Sequence, residues 1–347
     1  MEPEARSVKK SRAVYVQCRR VKPATIRLDK GTSHRGAAVA FAAAGRPREG
    51  HEETIKAPPR AYGSQRISPD GTRVVFGITD QESNDVWTWD FAQETLRRLT
   101  FAPGSDSLPF WTPDGQRIIF ASDREGVVNL CSQAADGTTV DRLTTSANQQ
   151  FPSSITPDGT LVVGFERMSL AASSQLASGP AWRNRLYPVA GSPEQTLFDG
   201  VWAEFSPDGR YLAHMSAAGP PGRSEVYVRP FPRVSSGLWQ VSTTGGSVPA
   251  WARSGRELCY LDASNRLTAV PVQTSGSTFS AGKPARVFDA EYSSPFPQRS
   301  YDVSPDGRRF LMLKDSAAGD PNAMPASMVV VLNWSEELKQ RMRVSGK

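Results

Sequence analysis

Three observations predict an all-β fold made of one repeated sheet. The tripeptide Pro-Asp-Gly occurs at 69–71, 113–115, 157–159, 207–209 and 305–307, and a degenerate sixth copy, Arg253-Ser254-Gly255, fills the widest gap. Successive copies lie 44 to 52 residues apart, the length of one four-stranded propeller blade. Segments rich in β-branched and aromatic residues follow each copy. The sequence therefore predicts a six-bladed β-propeller of four-stranded antiparallel blades.

Each Pro-Asp-Gly copy predicts a hairpin turn between the first and second strands of a blade. A hydroxyl residue precedes the proline, as at Ser68 and Thr112. Proline holds φ near the value that the first corner needs, the aspartate bonds nearby backbone, and glycine takes the positive φ that closes the turn.

The remaining strands follow from the same pattern. Second strands are predicted at 73–78, 117–122, 161–166, 210–215, 256–261 and 308–313. Third strands are predicted at 85–90, 129–134, 225–231, 267–272 and 328–334, and fourth strands at 96–101, 140–145, 195–200, 239–244 and 285–290. The third blade is irregular between 166 and 188.

The last repeat ends after its third strand, so the ring needs a strand from elsewhere. We expect residues 53–56 to supply it, which removes an exposed sheet edge. The predicted organisation is a basic, weakly ordered leader at 1–49, the propeller at 50–334, and a C-terminal helix and tail at 335–347, with Ser335 as the N-cap.

Composition excludes several classes of protein. Of 347 residues 38% are hydrophobic and only three are cysteine, which excludes a disordered chain and a disulfide scaffold. The net charge of +6 comes from residues 1–60, which carry 14 Lys and Arg against 6 Asp and Glu, so the rest is close to neutral. We expect no nucleic-acid partner, no membrane span and a monomer.

A search for catalytic motifs returns none. No two glycines lie four or two residues apart, which excludes the Gly-x-Ser-x-Gly elbow and the dinucleotide fingerprint. The three histidines do not suggest a metal site, and His214 is expected to be structural. Cys131 and Cys259 are expected to be small buried hydrophobes. We therefore expect no enzyme activity, cofactor or metal.

Several segments carry a resemblance to a known family. These are APPRAY (57–62), ISPDGTRVVF (67–76), EVYVRPFP (225–232), WARSGREL (251–258) and VVVLNWSEELKQR (329–341). Over about residues 50–343 the chain resembles the TolB-like, WD40-like propellers of bacteria, and more narrowly the C-terminal propeller of bacterial serine/threonine protein kinases. That resemblance implies a non-catalytic sensory or protein-binding module held outside the membrane. The kinase domain is absent here, and the apolar run at 36–45 lacks the Leu and Ile of an export signal, so the compartment stays open.

The candidate site lies in loops on one rim of the ring. Loops between consecutive blades and between second and third strands hold the most varied polar residues. We expect a protein or peptide partner at the channel mouth, contacted by Asp106, Asn148, Gln150, Asp123 and Arg124. Two alternatives remain: a propeller hydrolase or lyase with dispersed channel residues, and a C-terminal fragment of a longer kinase.

Overall fold

The strands of the computed structural model form six antiparallel sheets. The structure describes residues 11–13, 52–58, 60–79, 84–167, 182–191, 194–216, 223–275, 278–288, 299–307, 309–315 and 327–332. Within these residues every regular element is a strand, and no helix is long and apolar enough to cross a membrane. The predicted C-terminal helix lies outside the described residues, as does the leader apart from residues 11–13.

Each of the first four sheets contains four strands in chain order. Sheet 1 contains β3 (Ala61–Ile67), β4 (Arg73–Thr79), β5 (Asn84–Asp90) and β6 (Thr95–Arg98). Sheet 2 contains β7 (Asp106–Trp111), β8 (Arg117–Ser122), β9 (Asn129–Ala134) and β10 (Val140–Arg142). Sheet 3 contains β11 (Gln150–Ile155), β12 (Leu161–Arg167), β13 (Trp182–Pro188) and β14 (Gln195–Asp199). Sheet 4 contains β15 (Val201–Phe205), β16 (Tyr211–Ser216), β17 (Glu225–Pro230) and β18 (Trp239–Gln240).

The last two sheets have additional strands. Sheet 5 contains β19 (Gly246–Trp251), β20 (Glu257–Asp262), β21 (Leu267–Ser275), β22 (Thr278–Ala281) and β23 (Ala285–Arg286). The sequence did not predict β22; it arises because β21 continues to Ser275 and turns back on itself. Sheet 6 contains β24 (Tyr301–Val303), β25 (Arg309–Asp315), β26 (Ser327–Leu332), β2 (Glu52–Thr54) and β1 (Ser11–Ala13).

Sheet 6 joins chain segments that are far apart in the sequence. Glu53 of β2 pairs with Val330 of β26, and Arg12 of β1 pairs with Lys314 of β25. The segment after β2 enters the interior, where Ile55 and Ala57 are buried in one cluster with Phe310 of β25.

The first strands of the sheets contact one another in a closed circle, in the order β3, β7, β11, β15, β19, β24 and back to β3. Apolar side chains fill the space between neighbouring sheets. Val75 and Val86 of sheet 1, for example, pack with Trp111, Ile118 and Phe120 of sheet 2. This all-β arrangement of antiparallel sheets is consistent with a propeller.

The Pro-Asp-Gly segments form the predicted turns. In the first, Ser68 Oγ donates to Asp70 Oδ1 (2.6 Å), the Thr72 amide donates to the same oxygen (3.0 Å), and Gly71 has a φ of 75°. The preceding hydroxyl bonds the turn aspartate in the same way at Asp114, Asp158, Asp208 and Asp306. The hydroxyl of Thr112 holds the pKa of Asp114 below its usual value. Each aspartate therefore serves its own turn.

In several sheets a buried polar residue at the start of the third strand forms hydrogen bonds with the residues that follow the fourth strand. In sheet 4 the Glu225 carboxylate, fully buried, accepts from Ser242 Oγ (2.5 Å) and from the Gly245 amide (3.1 Å), while Ser242 Oγ accepts from the Val226 amide (2.8 Å). The same pairing links Asp85 with Thr100 and Asn129 with Thr144. These polar groups are satisfied within their blade.

Candidate functional site

Three of the five predicted site residues lie in or beside sheet 2: Asp106 begins β7, and Asp123 and Arg124 follow β8. Asp106 is buried and forms a two-pronged ion pair with Arg124, whose Nη2 lies 3.1 and 3.0 Å from the two carboxylate oxygens. Arg124 Nε also donates to Ser122 Oγ (2.8 Å). Asp123 accepts a hydrogen bond from the Ser105 amide (2.6 Å). These side chains are paired with each other or with their own loops.

The other two predicted residues lie in and beside sheet 3. Asn148 Nδ2 donates to Glu166 Oε1 (3.0 Å), and Gln150 Nε2 lies 3.3 Å from Glu194 Oε2. Arg185 links the two carboxylates, because its Nη1 bonds Glu166 and its Nη2 lies 3.1 Å from Glu194 Oε2. The described contacts therefore form two separate clusters, and a shared binding role for the five residues stays a prediction.

A cavity of about 240 Å³ lies at the other end of the first strands, next to the Pro-Asp-Gly turns. We call it the central cavity. Every first strand contributes to its wall, and the lining includes Arg66, Trp111, Ser153, Glu204, Trp251 and Asp302. None of the five predicted residues lines it. Asp106 begins the strand that Trp111 ends, so the two faces are about 16 Å apart along β7.

A repeated irregularity in the first strands shapes the wall of the central cavity. Ser64, Leu108, Trp202 and Val248 have φ between 50° and 57°, and the pairing register shifts beside each of them. Such bulges bend a strand and redirect its side chains. Arg66 lies two residues after the bulge at Ser64, and Glu204 lies two residues after the bulge at Trp202. Both side chains line the cavity.

Arg299 holds the two cavity carboxylates together. Its side chain is almost fully buried; Nη1 bonds Glu204 Oε2, Nη2 lies 2.8 Å from Asp302 Oδ1, and Nε donates to the Tyr301 carbonyl (3.0 Å). Burial alone opposes the charge on Arg299, but the carboxylates of Glu204 and Asp302 outweigh it and raise the pKa of Arg299.

The remaining carboxylate oxygens accept from backbone amides of neighbouring first strands. The Trp251 amide donates to Glu204 Oε1 (3.1 Å), and the Ile67 amide donates to Asp302 Oδ2 (2.8 Å). One connected network thus links β3, β24, β15 and β19. All four oxygens of these two carboxylates already accept a hydrogen bond.

Two buried polar groups of the central cavity make no hydrogen bond, a guanidinium donor and a hydroxyl. Arg66 Nη2 donates to the Ser153 carbonyl (3.3 Å), but Arg66 Nη1 and Ser153 Oγ are buried without a hydrogen-bond partner. Burial and the charge of Arg299 lower the pKa of Arg66 to about 10. Buried donors left unbonded destabilise a fold, so we expect a water molecule or a ligand group in the cavity to accept from them.

The entrance to the cavity differs at one repeat. Pro69, Pro113, Pro157 and Pro207 of four turns contribute to the lining, and the degenerate sixth turn places Arg253 at the equivalent position. Arg253 is exposed. With Arg66 and Arg299 it gives the cavity three cations against the two carboxylates.

A wider groove adjoins the central cavity on the side of sheets 4 and 5. This lateral groove has a volume of about 700 Å³ and shares Ser206, Pro207 and Trp251 with the cavity. It extends along β21 to Gln273 and Thr274.

The sequence carries a signal for the cavity outside any catalytic motif. The third residue before each turn occupies an equivalent position in every repeat. This position holds Arg66, Phe110, Ser154, Glu204, Ala250 and Asp302. Three charged residues at one position of otherwise buried strands indicate a functional surface, because charged side chains are rarely buried without a reason.

The cysteines and the histidine that the sequence singled out lie in the interior. Cys131 and Cys259 are buried free thiols, as predicted, and burial raises the pKa of both. His214 is also buried, with its ring against Phe198 and its Nε2 accepting from Arg229 Nε (3.3 Å). Among the described residues, no group of three or more His, Cys, Asp or Glu is placed to hold a metal ion.

Comparison with known proteins supports a TolB-like propeller. Residues 48–179 match the TolB beta propeller domain family. An uncharacterised protein of Agrobacterium fabrum is 30% identical over 43% of this chain and 52% of its own length. The Tol-Pal system protein TolB of Wolinella succinogenes is 31% identical over 20% of this chain and 17% of its own. The chain thus spans about half the length, or less, of these curated relatives.

Solved structures show the same fold at low sequence identity. TolB from Acinetobacter baumannii aligns with a TM-score of 0.52 and 14% identity, covering 78% of this chain and 63% of that one. An oligogalacturonate lyase in complex with manganese aligns with a TM-score of 0.54 and 14% identity, covering 82% and 98%. Because one fold carries both a Tol-Pal protein and a lyase, function must be argued from the site.

Proposed function

We propose that this chain is a non-catalytic β-propeller that binds a protein or peptide partner at the central cavity. The observation that carries the proposal is that the cavity and the lateral groove adjoin, with Ser206, Pro207 and Trp251 lining both. A volume of about 240 Å³ suits one side chain or chain terminus, and the adjoining groove of about 700 Å³ suits the residues next to it. Trp111 and Trp251, both buried, form rigid parts of the cavity wall, because each Nε1 donates to a backbone carbonyl of the neighbouring first strand.

The hydrogen bonds of the cavity carboxylates favour a binding role over a catalytic one. Every carboxylate oxygen of Glu204 and Asp302 already accepts a hydrogen bond from Arg299 or a backbone amide, which stabilises the ionised form and makes each group a weaker base. A general base must reach the proton that it removes. The alternative, a hydrolase or lyase with dispersed channel residues, requires this network to open first.

Panning a displayed library of random 12-residue peptides against the full chain tests the proposal. We expect enriched peptides whose affinity falls at least about tenfold in Gln273→Trp, which fills the groove. The matched control, Gln93→Trp, places the same side chain in an exposed turn of sheet 1 and leaves the affinity unchanged. Calorimetry with the synthesised peptides measures both. Equal weakening in the two variants, no enrichment, or turnover of oligogalacturonate by the pure chain contradicts the proposal.

We also infer that the six sheets are six blades of one ring and that β2 closes it. The circular contacts of the first strands and the pairing of β2 with β26 support this. Deleting residues 50–60 removes β2 and the buried Ile55 and Ala57, and is expected to lower the free energy of unfolding by about 3 kcal/mol more than deleting 1–45. Chemical unfolding of the two truncated chains measures the difference. Equal stabilities contradict closure by β2.

The resemblance stated above motivates one further proposal about origin. We propose that this propeller derives from the sensory C-terminal region of a bacterial serine/threonine kinase. Kinase motifs in the reading frame upstream of Met1 would support this, and a family of free-standing chains without them would contradict it.

A further inference from the structure

The central cavity contains polar groups without a partner, whereas every oxygen of its two carboxylates already accepts a hydrogen bond. Arg66 Nη1 and Ser153 Oγ make no hydrogen bond, and Arg66 Nη2 joins the two residues by donating to the Ser153 carbonyl. The guanidinium can only donate, and the serine hydroxyl can donate as well as accept, so a ligand that bonds both must present an acceptor to Arg66 and can present a second one to Ser153. A cationic donor and a hydroxyl on two bonded residues suit the two oxygens of a carboxylate.

The charge of the cavity leads to the same class of ligand. Arg299 is fully engaged by Glu204 and Asp302, and these three groups together carry one negative charge. Arg66 and Arg253 add two positive charges, so the cavity retains a net charge of +1. An anionic group entering past Arg253 neutralises it.

From this geometry we infer that the central cavity binds a carboxylate, held by Arg66 and Ser153 and drawn in by Arg253. The inference rests on the proposed peptide-binding function and names the group that the cavity recognises. Because the lateral groove shares Ser206, Pro207 and Trp251 with the cavity, the carboxylate of a peptide, from Asp, Glu or the chain terminus, fits better than a free small acid.

The experiment uses the full chain and a set of N-acetylated hexapeptides measured by calorimetry. Each sequence is made with Asp or Glu and with the matching amide residue, and with a free or an amidated C-terminus; free succinate forms a separate arm. We expect at least about tenfold tighter binding of the carboxylate form than of its amide, since hydrogen bonds to charged groups are among the strongest in proteins. Tight binding of succinate alone would show a small-acid site and overturn the peptide assignment.

Three variants test which residues recognise the carboxylate. Arg66→Gln is expected to reduce the preference for carboxylate over amide to less than about threefold, and Arg253→Pro to weaken carboxylate binding about threefold or more. Arg253→Pro installs the residue that the other five turns already have, and the backbone hydrogen bond that closes this turn joins Gly255 to Ala252 and not Arg253, so the variant is expected to fold. Arg233→Gln, an exposed arginine away from the cavity, is the control.

The outcomes separate this inference from the proposed function. Peptides that bind equally as acid and amide, or a preference that survives Arg66→Gln, overturn carboxylate recognition and leave peptide binding standing. Absence of binding by every peptide, acid or amide, contradicts both.

Discussion

Replacing Arg299 with methionine is expected to destabilise the fold by about 3–5 kcal/mol. The substitution leaves the carboxylates of Glu204 and Asp302 in the interior without their shared cation, and an unpaired buried charge is far more destabilising than the loss of a surface ion pair. Urea unfolding followed by tryptophan fluorescence measures the change.

A triple variant distinguishes loss of the charge balance from loss of packing. Combining Arg299→Met with Glu204→Gln and Asp302→Asn removes all three charges, while the new amide oxygens still accept from the Trp251 and Ile67 amides. We expect it to be more stable than Arg299→Met alone, because a buried ion network replaced as a whole is often nearly neutral. A triple variant less stable than the single one would contradict this account.

The second large effect concerns acid sensitivity at His214. Burial, and then the positive charge of Arg229, lower the pKa of His214 from 6.5 to about 3. The folded protein keeps this ring neutral while the unfolded chain protonates it near pH 6.5, so the unfolded state binds more protons as the pH falls. This contribution to stability is therefore complete above pH 6.5 and declines as the pH falls towards 3, by about 2 kcal/mol at pH 5 and about 4 kcal/mol at pH 3.

His214→Phe tests this linkage. The variant keeps a ring between Phe198 and Tyr227 and removes the titrating nitrogen. Its absolute stability is expected to differ from that of the wild type, but the slope of stability against pH between 6.5 and 4 should be shallower. Unfolding free energies measured in matched buffers across this range give the slope. Parallel curves for the two proteins would show that another group causes the acid sensitivity.

Local sequence predicted the repeated turns and most strands because their chemistry is contained within a few residues. Ser68 and Asp70 form their turn with Gly71 and Thr72, and no distant residue is needed. The prediction that a partner contacts Asp106, Asp123 and Arg124 also rested on local information, namely polar residues in loops. It did not anticipate that Asp106 and Arg124 bond each other, which only the approach of β7 to β8 reveals.

The central cavity depends on contacts between residues far apart in the chain. Arg299 meets Glu204 across 95 residues, and Asp302 accepts from Ile67 across 235. The bulges at Leu108, Trp202 and Val248 place non-glycine residues at positive φ, where no local preference favours them. Packing of neighbouring first strands must hold these conformations, so no pattern in one repeat indicates them.

The amino-acid sequence by itself determined the repeat, its turns and the class of sheet, because turn chemistry and strand alternation act over short distances. Tertiary structure decided which end of the first strands holds the cavity, which carboxylates are neutralised and which donors stay unused. Those outcomes depend on six strands that meet at one place. The free energy of burying a charge depends on the hydrogen bonds and opposite charges that the neighbouring strands supply.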